Sequence, residues 1–244
     1  MKPFKKSEKY DLNWMKDHEM GPNSVWLTEF LTEGMDLRPG MRVLDLGCGK
    51  AMSSIFLAKE FQVQVWACDL WISPSENYQN ANSQKVSNLV YPIYAEAHQL
   101  PFAKDFFDAI VSVDTYHYFG TDDYYLPYLM QFLRKDGILG MVSPGLKQEI
   151  KKVPSTLEKF WEPQFYCFHT VDWWKNHWQK TGLVNILTAD ILRNGWKIWY
   201  QWEKELMKTH ARQIEKRGND INMLEADNGD FFCFPRIIGR KIAG

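Results

Sequence analysis

The sequence predicts an α/β protein built on a doubly wound, mostly parallel sheet of seven strands. Three observations carry that reading. Apolar strand-like runs alternate with helix-like stretches from Met41 to Val142, the first run closes on a glycine loop, and the second closes on an acid. Such alternation implies parallel neighbours with helices on both faces. Ligands of such sheets bind outside the carboxyl ends of the strands, near the point where strand order reverses.

Residues 1–20 read as polar and loosely structured, with Tyr10, Trp14 and Met15 as anchors. Pro22-Asn23-Ser24 reads as a helix start, followed by Val25, Trp26, Leu27, Phe30 and Leu31 at helical spacing and ended by Gly34. Arg38-Pro39-Gly40 is a turn. The strands of the alternating region are expected at Met41–Leu46, Val63–Cys68, Val90–Tyr94, Phe107–Val113 and Gly137–Val142. Helices are expected between them at Ser53–Phe61, Ser75–Leu89 and Tyr124–Leu133. After Pro144 the pattern changes. Residues 145–170 are irregular, with Pro154, Pro163 and many aromatics. A helix over Val171–Thr181, a strand over Val184–Ile191, a long helix over Trp196–Lys216 and a last strand over Phe231–Ile242 complete the seven strands.

The chain has 244 residues and a formal net charge of −1. That length suits one α/β domain with insertions or a small cap. The charge balance argues against a surface built to hold nucleic acid. No apolar run reaches the length of a membrane span. The basic start MKPFKKSEKY has no apolar stretch behind it, so it does not read as a secretory signal. Cys48, Cys68, Cys167 and Cys233 form no CxxC pair and read as reduced thiols of a cytoplasmic protein, with no metal site. Aromatic content is high, with 11 Trp, 11 Tyr and 15 Phe. Those side chains could fill a core or line a substrate cavity.

The loop Asp45-Leu46-Gly47-Cys48-Gly49 follows a strand and precedes a helix. Glycines there let a ligand come close to the backbone. A dinucleotide fingerprint needs a third glycine where this chain has Met52. Asp45 would also repel a pyrophosphate and suits a cationic ligand, such as one with a sulfonium and an α-ammonium. Asp69 ends the second strand twenty positions after Gly49. A carboxylate at that place can accept both hydroxyls of a ribose.

Further along stand Glu96-Ala97-His98-Gln99-Leu100-Pro101-Phe102 and Phe107-Asp108-Ala109-Ile110-Val111. With "LDLGCG", "AEAHQLPF", "FFDAIVSVD" and "LRKDGILGMVSPG" in series, residues 22–145 resemble the class I S-adenosylmethionine-dependent methyltransferases. The resemblance is to their small-molecule branch, which includes ubiquinone/menaquinone-type C-methyltransferases and relatives labelled cyclopropane-fatty-acid-synthase-like. It implies a Rossmann-like sheet with S-adenosylmethionine as cofactor. On this chain it implies that Asp45 contacts the methionine part directly or through water. Gly47, Cys48 and Gly49 would line that part, and Asp69 would bind the ribose. Leu70, Glu96 and Ala97 would approach the adenine, and Asp114 would lie near the methionine amino group. Ala51 stands where the family often has a third glycine, and Glu96 replaces the more usual Asp. The expected organisation is an N-terminal segment and helix over the active site (1–35), the cofactor-binding core (36–145), and aromatic-rich cap insertions with the last strands (146–244).

On the acceptor side, His117 is the candidate base and Tyr116 the second catalytic candidate, with Tyr116 and Tyr118 also candidates to line the site, because Asp114-Thr115-Tyr116-His117-Tyr118-Phe119 follows the fourth strand. His98 is expected at the cofactor edge or in solvent. Trp196, Trp199 and Trp202 lie in steps of three on one helix and could pack or enclose an acceptor. The activity expected is methyl transfer to a small molecule by a monomer or homodimer. A lipid-acting enzyme, or an RNA-modifying or non-catalytic binding protein on the same fold, are the competing expectations.

Overall fold

The computed structural model describes residues 4–208 and 214–242. Helix α1 (Leu12–Asp17) forms where a loose segment was expected, because the Asp11 carboxylate caps the backbone N–H groups of Asn13 and Trp14. Helix α2 (Ser24–Thr32) starts in the same way, with the Asn23 side chain accepting from Trp26. Strand β1 (Arg42–Leu46), helix α3 (Met52–Phe61), β2 (Gln64–Asp69), α4 (Pro74–Ser83), β3 (Val90–Tyr94), β4 (Phe107–Val113), α5 (Tyr125–Met130) and β5 (Leu133–Val142) then follow. The predicted alternation is therefore observed, with shifts of boundary that are largest at α4, α5 and β5.

Helix α4 begins at Pro74 on a Ser73 cap and stops well short of Leu89. Lys85 is left-handed (φ 60°) and turns the chain toward β3. Helix α5 ends before Leu133, because Leu133 pairs with Phe107 of β4. The register then shifts, and Ala109 pairs with Ile138. In the last third lie β6 (Gly145–Leu146), α6 (Val171–Gln179), β7 (Val184–Ile191) and α7 (Gly195–Met207). They are followed by α8 (Ile214–Asp227), β8 (Phe232–Cys233) and β9 (Pro235–Lys241). The long helix expected to Lys216 is thus α7 followed by the separate α8, with residues 209–213 outside the described ones. The expected last strand is divided at Phe234: β8 pairs with β6, and β9 joins the main sheet.

The main sheet has seven strands in the order β3-β2-β1-β4-β5-β9-β7. Neighbours from β3 to β5 are parallel, and β9 runs antiparallel to both β5 and β7. The order reverses between β1 and β4, which places the ligand crevice at their carboxyl ends. Side chains alternate across the sheet. Val43, Val65, Ala109 and Val111 face one layer with Leu31, Ile55 and Leu57 of α2 and α3. Leu44, Leu46, Ile110 and Leu139 face the other layer, with Leu126 and Leu129 of α5 and Trp174 and Trp178 of α6. The late tryptophans act as packing: Trp174, Trp178 and Trp202 are fully buried. Helix α7 fastens the N-terminal segment, since Trp202 Nε1 donates to the Gly21 carbonyl at 3.0 Å and its ring meets Trp26 edge-on. No helix of the described residues is long and apolar enough to cross a membrane.

Candidate active site

A cavity of about 330 Å³ opens at the carboxyl ends of β1, β2, β3 and β4. Its floor is Leu46 to Lys50, its sides are Asp69 to Trp71, Ala95 to His98 and Val113 to Thr115, and its cover includes His18, Met20, Gly21, Pro22 and Ser24. Volume and shape are those of a small-molecule site.

The glycine loop is held by its neighbours. Gly47 and Cys48 both donate N–H to the Cys68 carbonyl, at 2.8 and 3.0 Å. Ser112 Oγ donates to the Leu46 carbonyl and Thr115 Oγ1 to the Gly47 carbonyl, at 2.9 and 3.0 Å. Gly47, Gly49 and Ala51 take φ of 75°, 53° and 62°. Ala51 therefore adopts the left-handed backbone for which the family's glycine is suited. Asp69 closes the loop from β2. Its Oδ2 accepts from Gly49 N at 2.8 Å, and its Oδ1 from Trp71 N and Ile72 N at 2.7 and 3.0 Å.

Asp114 follows β4 with φ 59°, and its N–H donates to the Val142 carbonyl at 2.8 Å. Non-glycine residues in this region of backbone space are strained and cluster at functional sites. Strap residue Gly21 lies against the Asp114 carboxylate, since a Cβ at Gly21 would stand 2.7 Å from Asp114 Oδ2. Glu96 turns back on its own loop, accepting from His98 N and meeting His98 Nδ1, both at 2.8 Å. Burial acts to raise the Glu96 carboxyl, but the His98 hydrogen bonds outweigh it and hold it below the usual range.

Of the residues singled out in the sequence, Gly47, Cys48, Gly49, Asp69, Leu70, Glu96, Ala97 and Asp114 all line this one cavity. Asp45 does not. On β1 it alternates away from the crevice toward α3, where Ser53 Oγ and Ser54 Oγ both donate to its Oδ2 at 2.6 Å. Of the contact expected directly or through water, the direct form is corrected: Asp45 lies one layer behind the wall. Its Oδ1 has no protein partner. Burial pushes the Asp45 carboxyl up to about 6 against the pull of the two serine hydroxyls.

A folded-state value above the ordinary carboxylate value means stability that is present below about pH 4 and lost as pH rises through 6. The shift is on the order of 3 kcal/mol of differential stability. Asp45→Asn removes the ionisation. Its melting temperature should gain on that of the parent by several degrees between pH 5 and pH 8, measured by calorimetry without ligand. An unchanged difference would show that Asp45 is not a buried titrating group.

The candidate catalytic pair is also corrected. Tyr116 is fully buried, and its ring packs edge-on against Tyr125, Trp174 and Trp178. His117 is buried between Tyr118 and Phe168, and burial drives its imidazole down to about 3, so it is neutral. Neither is among the residues lining the cavity, whereas Tyr118 and Phe119 are. Residues that the sequence reading did not name include Trp71, Thr115 and, in the N-terminal strap that it did expect over the site, His18, Met20, Gly21 and Pro22. A Gly-Pro step just before a capped helix was the one available signal for the strap. Among the described residues, no group of three or more His, Cys, Asp or Glu is placed to hold a metal ion.

Comparison with known proteins agrees with this geometry. Residues 43–137 match the model of a methyltransferase domain. Cyclopropane-fatty-acyl-phospholipid synthase of Escherichia coli is 27% identical over 134 residues, which is 54% of this chain and 34% of that protein. (+)-O-methylkolavelool synthase of Herpetosiphon aurantiacus is 31% identical over 96 residues, 39% of this chain and 34% of that protein. The chain thus matches about a third of the length of these curated relatives. Among solved structures, the [4+2]-cyclase SpnF superposes with a TM-score of 0.73 at 18% identity, covering 91% of this chain and 82% of that one. Geranyl diphosphate C-methyltransferase from Streptomyces coelicolor, in complex with Mg2+, geranyl diphosphate and S-adenosyl-L-homocysteine, gives 0.69 at 16%, covering 88% and 76%. Phosphoethanolamine N-methyltransferase 2 of Haemonchus contortus, in complex with S-adenosyl-L-methionine, gives 0.72 at 16%, covering 93% and 55%. At these identities the structural likeness shows the fold.

Proposed function

We propose that this chain, whose residues 43–137 match a methyltransferase domain, is a class I S-adenosylmethionine-dependent methyltransferase that binds S-adenosylmethionine in the cavity and transfers a methyl group to a small-molecule acceptor. One observation carries this reading. A single cavity gathers the glycine loop, Asp69, the Glu96-Ala97 edge and Asp114 from four strand ends.

The residues present fit the cofactor. Asp69 already accepts three backbone N–H groups, and a carboxylate has about four acceptor positions. One lone pair stays open to a ribose hydroxyl. Leu70, Trp71 and Ala97 offer apolar surface to a flat base, and Glu96 offers an acceptor at its edge. Asp114, with Asp45 behind the wall, makes the methionine end of the cavity favourable to positive charge. Thr115 and Cys68 fix the loop carbonyls and N–H groups that border that end. When bound, the cofactor would supply an electrophilic methyl group on a sulfonium. The protein's share is then positioning and exclusion of water, which can account for most of such a rate enhancement.

The test is calorimetric titration with S-adenosylmethionine and S-adenosylhomocysteine, followed by methyl-labelled cofactor offered to fractionated metabolite extracts. Micromolar binding and label in a small molecule are expected. No binding of either ligand would overturn the reading.

A lipid-chain acceptor is a second reading. Its support is the apolar rim of the same cavity, where Met20, Leu70 and Trp71 stand 45%, 42% and 75% exposed, together with the likeness to the Escherichia coli phospholipid enzyme. Label recovered in the lipid fraction would select it.

A further inference from the structure

The strap over the cavity is fastened to the glycine loop through a chain of side chains whose polarity is fixed at both ends. His18 Nδ1 lies 2.8 Å from the Trp14 carbonyl oxygen. A carbonyl only accepts, so this nitrogen carries a proton. His18 Nε2 lies 3.2 Å from Asn80 Oδ1. The amide orientation of Asn80 is set independently, because its Nδ2 donates to the Lys50 carbonyl at 3.2 Å. A flipped amide would set its oxygen against that carbonyl. Asn80 therefore presents its oxygen to His18, and Nε2 has to donate as well. For both contacts to be hydrogen bonds at once, both ring nitrogens have to donate, which takes the imidazolium form. Lys50 makes a second tie, its Nζ donating to the Asp17 carbonyl at 3.3 Å. Helix α4 clamps the next turn of the loop too, with Asn77 Nδ2 donating to the Gly49 carbonyl at 2.8 Å.

We propose that His18 is a positioning residue for the cofactor site: in its protonated form it ties the strap, through Asn80, to the glycine loop. The ligand part of this inference rests on the cofactor assignment above; the strap part does not. A tie that needs a donor on both ring nitrogens is favoured as pH falls and lost as pH rises. The charged groups next to His18 on its own segment are Asp17 and Glu19, and Lys50 on the loop reaches the Asp17 carbonyl. Asp69, Glu96, His98 and Asp114 line the same cavity as His18. Helix α4 contacts the ring itself through the amide of Asn80.

The experiment begins with ligand-free protein. Imidazole 1H–15N spectra, with His18 assigned by its loss in His18→Gln, should show protons on both nitrogens at pH 6. Amide protection factors over residues 12–20 should be at least threefold higher at pH 6 than at pH 8. In Asn80→Ala that pH dependence should vanish while β-sheet protection is kept. Titration with S-adenosylhomocysteine should then give affinity at least threefold weaker at pH 8 than at pH 6, with no such change in His18→Gln. A neutral His18 at pH 6, or equal pH dependence in His18→Gln and the parent, overturns the proposal. A pH-dependent strap that binds no S-adenosyl ligand upholds the strap part alone and overturns the cofactor assignment, and with it the ligand part.

Discussion

Asp69→Ala is expected to weaken S-adenosylmethionine binding at least tenfold and to lower the melting temperature of the free protein. The side chain serves two structures at once. It gathers the N–H groups of Gly49, Trp71 and Ile72, which belong to the glycine loop and to the turn after β2. Hydrogen bonds to a charged acceptor contribute about 1.5–3 kcal/mol each, and a buried donor left unpaired costs about as much. Truncation thus loosens both walls of the cavity before any ligand contact is counted. Asp69→Asn separates the two roles. One amide oxygen can still accept from Trp71 and Ile72, while the new NH2 faces the Gly49 N–H or the ribose in place of an acceptor. Asp69→Asn should therefore recover part of the melting temperature but little of the affinity, as measured by calorimetry alongside thermal melts. Binding by Asp69→Asn within threefold of the parent would remove Asp69 from the ribose site.

That double duty explains why this part of the molecule could be read in advance. Strands β3, β4 and β7 have the predicted limits, because short apolar or alternating runs bounded by turn residues have few other solutions. The loop after β1 and the acid after β2 are tied by hydrogen bonds between neighbouring strands. Local motifs then report a nearly local arrangement. Helix α8 was not legible: its sequence is polar, is interrupted by Gly218, and buries the adjacent pair Met223 and Leu224 instead of a clear stripe. It forms against α7, so its signal is tertiary.

The acceptor side was misread for a geometric reason. Tyr116–Tyr118 form a 3-10 turn. About three residues per turn send successive side chains in three directions. Tyr116 turns into the α5/α6 layer, His117 against Phe168, and Tyr118 toward the cavity mouth. Sequence position places all three after β4 but cannot say which of them faces the ligand. The fastening of the strap was illegible for a different reason. His18 meets its partner Asn80 across 62 residues, through an amide whose orientation only the Lys50 carbonyl fixes.

Gly47→Ala should be more damaging than Gly49→Ala, although both add one methyl group to the same loop. Gly47 has φ 75°, where an L side chain costs roughly 1–2 kcal/mol. Its Cβ would also stand 2.2 Å from Thr115 Cγ2 and 2.7 Å from Thr115 Cβ and Oγ1. Thr115 cannot turn aside cheaply, because Oγ1 donates to the Gly47 and Val113 carbonyls. At Gly49 the new Cβ would meet only Met20 Sδ at 2.9 Å, the far end of a flexible side chain. Gly47→Ala should lower affinity for S-adenosylhomocysteine about a hundredfold and the melting temperature by several degrees, with Gly49→Ala well short of both. A double-mutant cycle isolates the clash. On a Thr115→Gly background, Gly47→Ala should cost only the backbone term, so the two changes together should be less harmful than the sum of each alone. Equal penalties on both backgrounds would mean that the conformation of the loop, and not its contact with β4, sets the shape of the cavity floor.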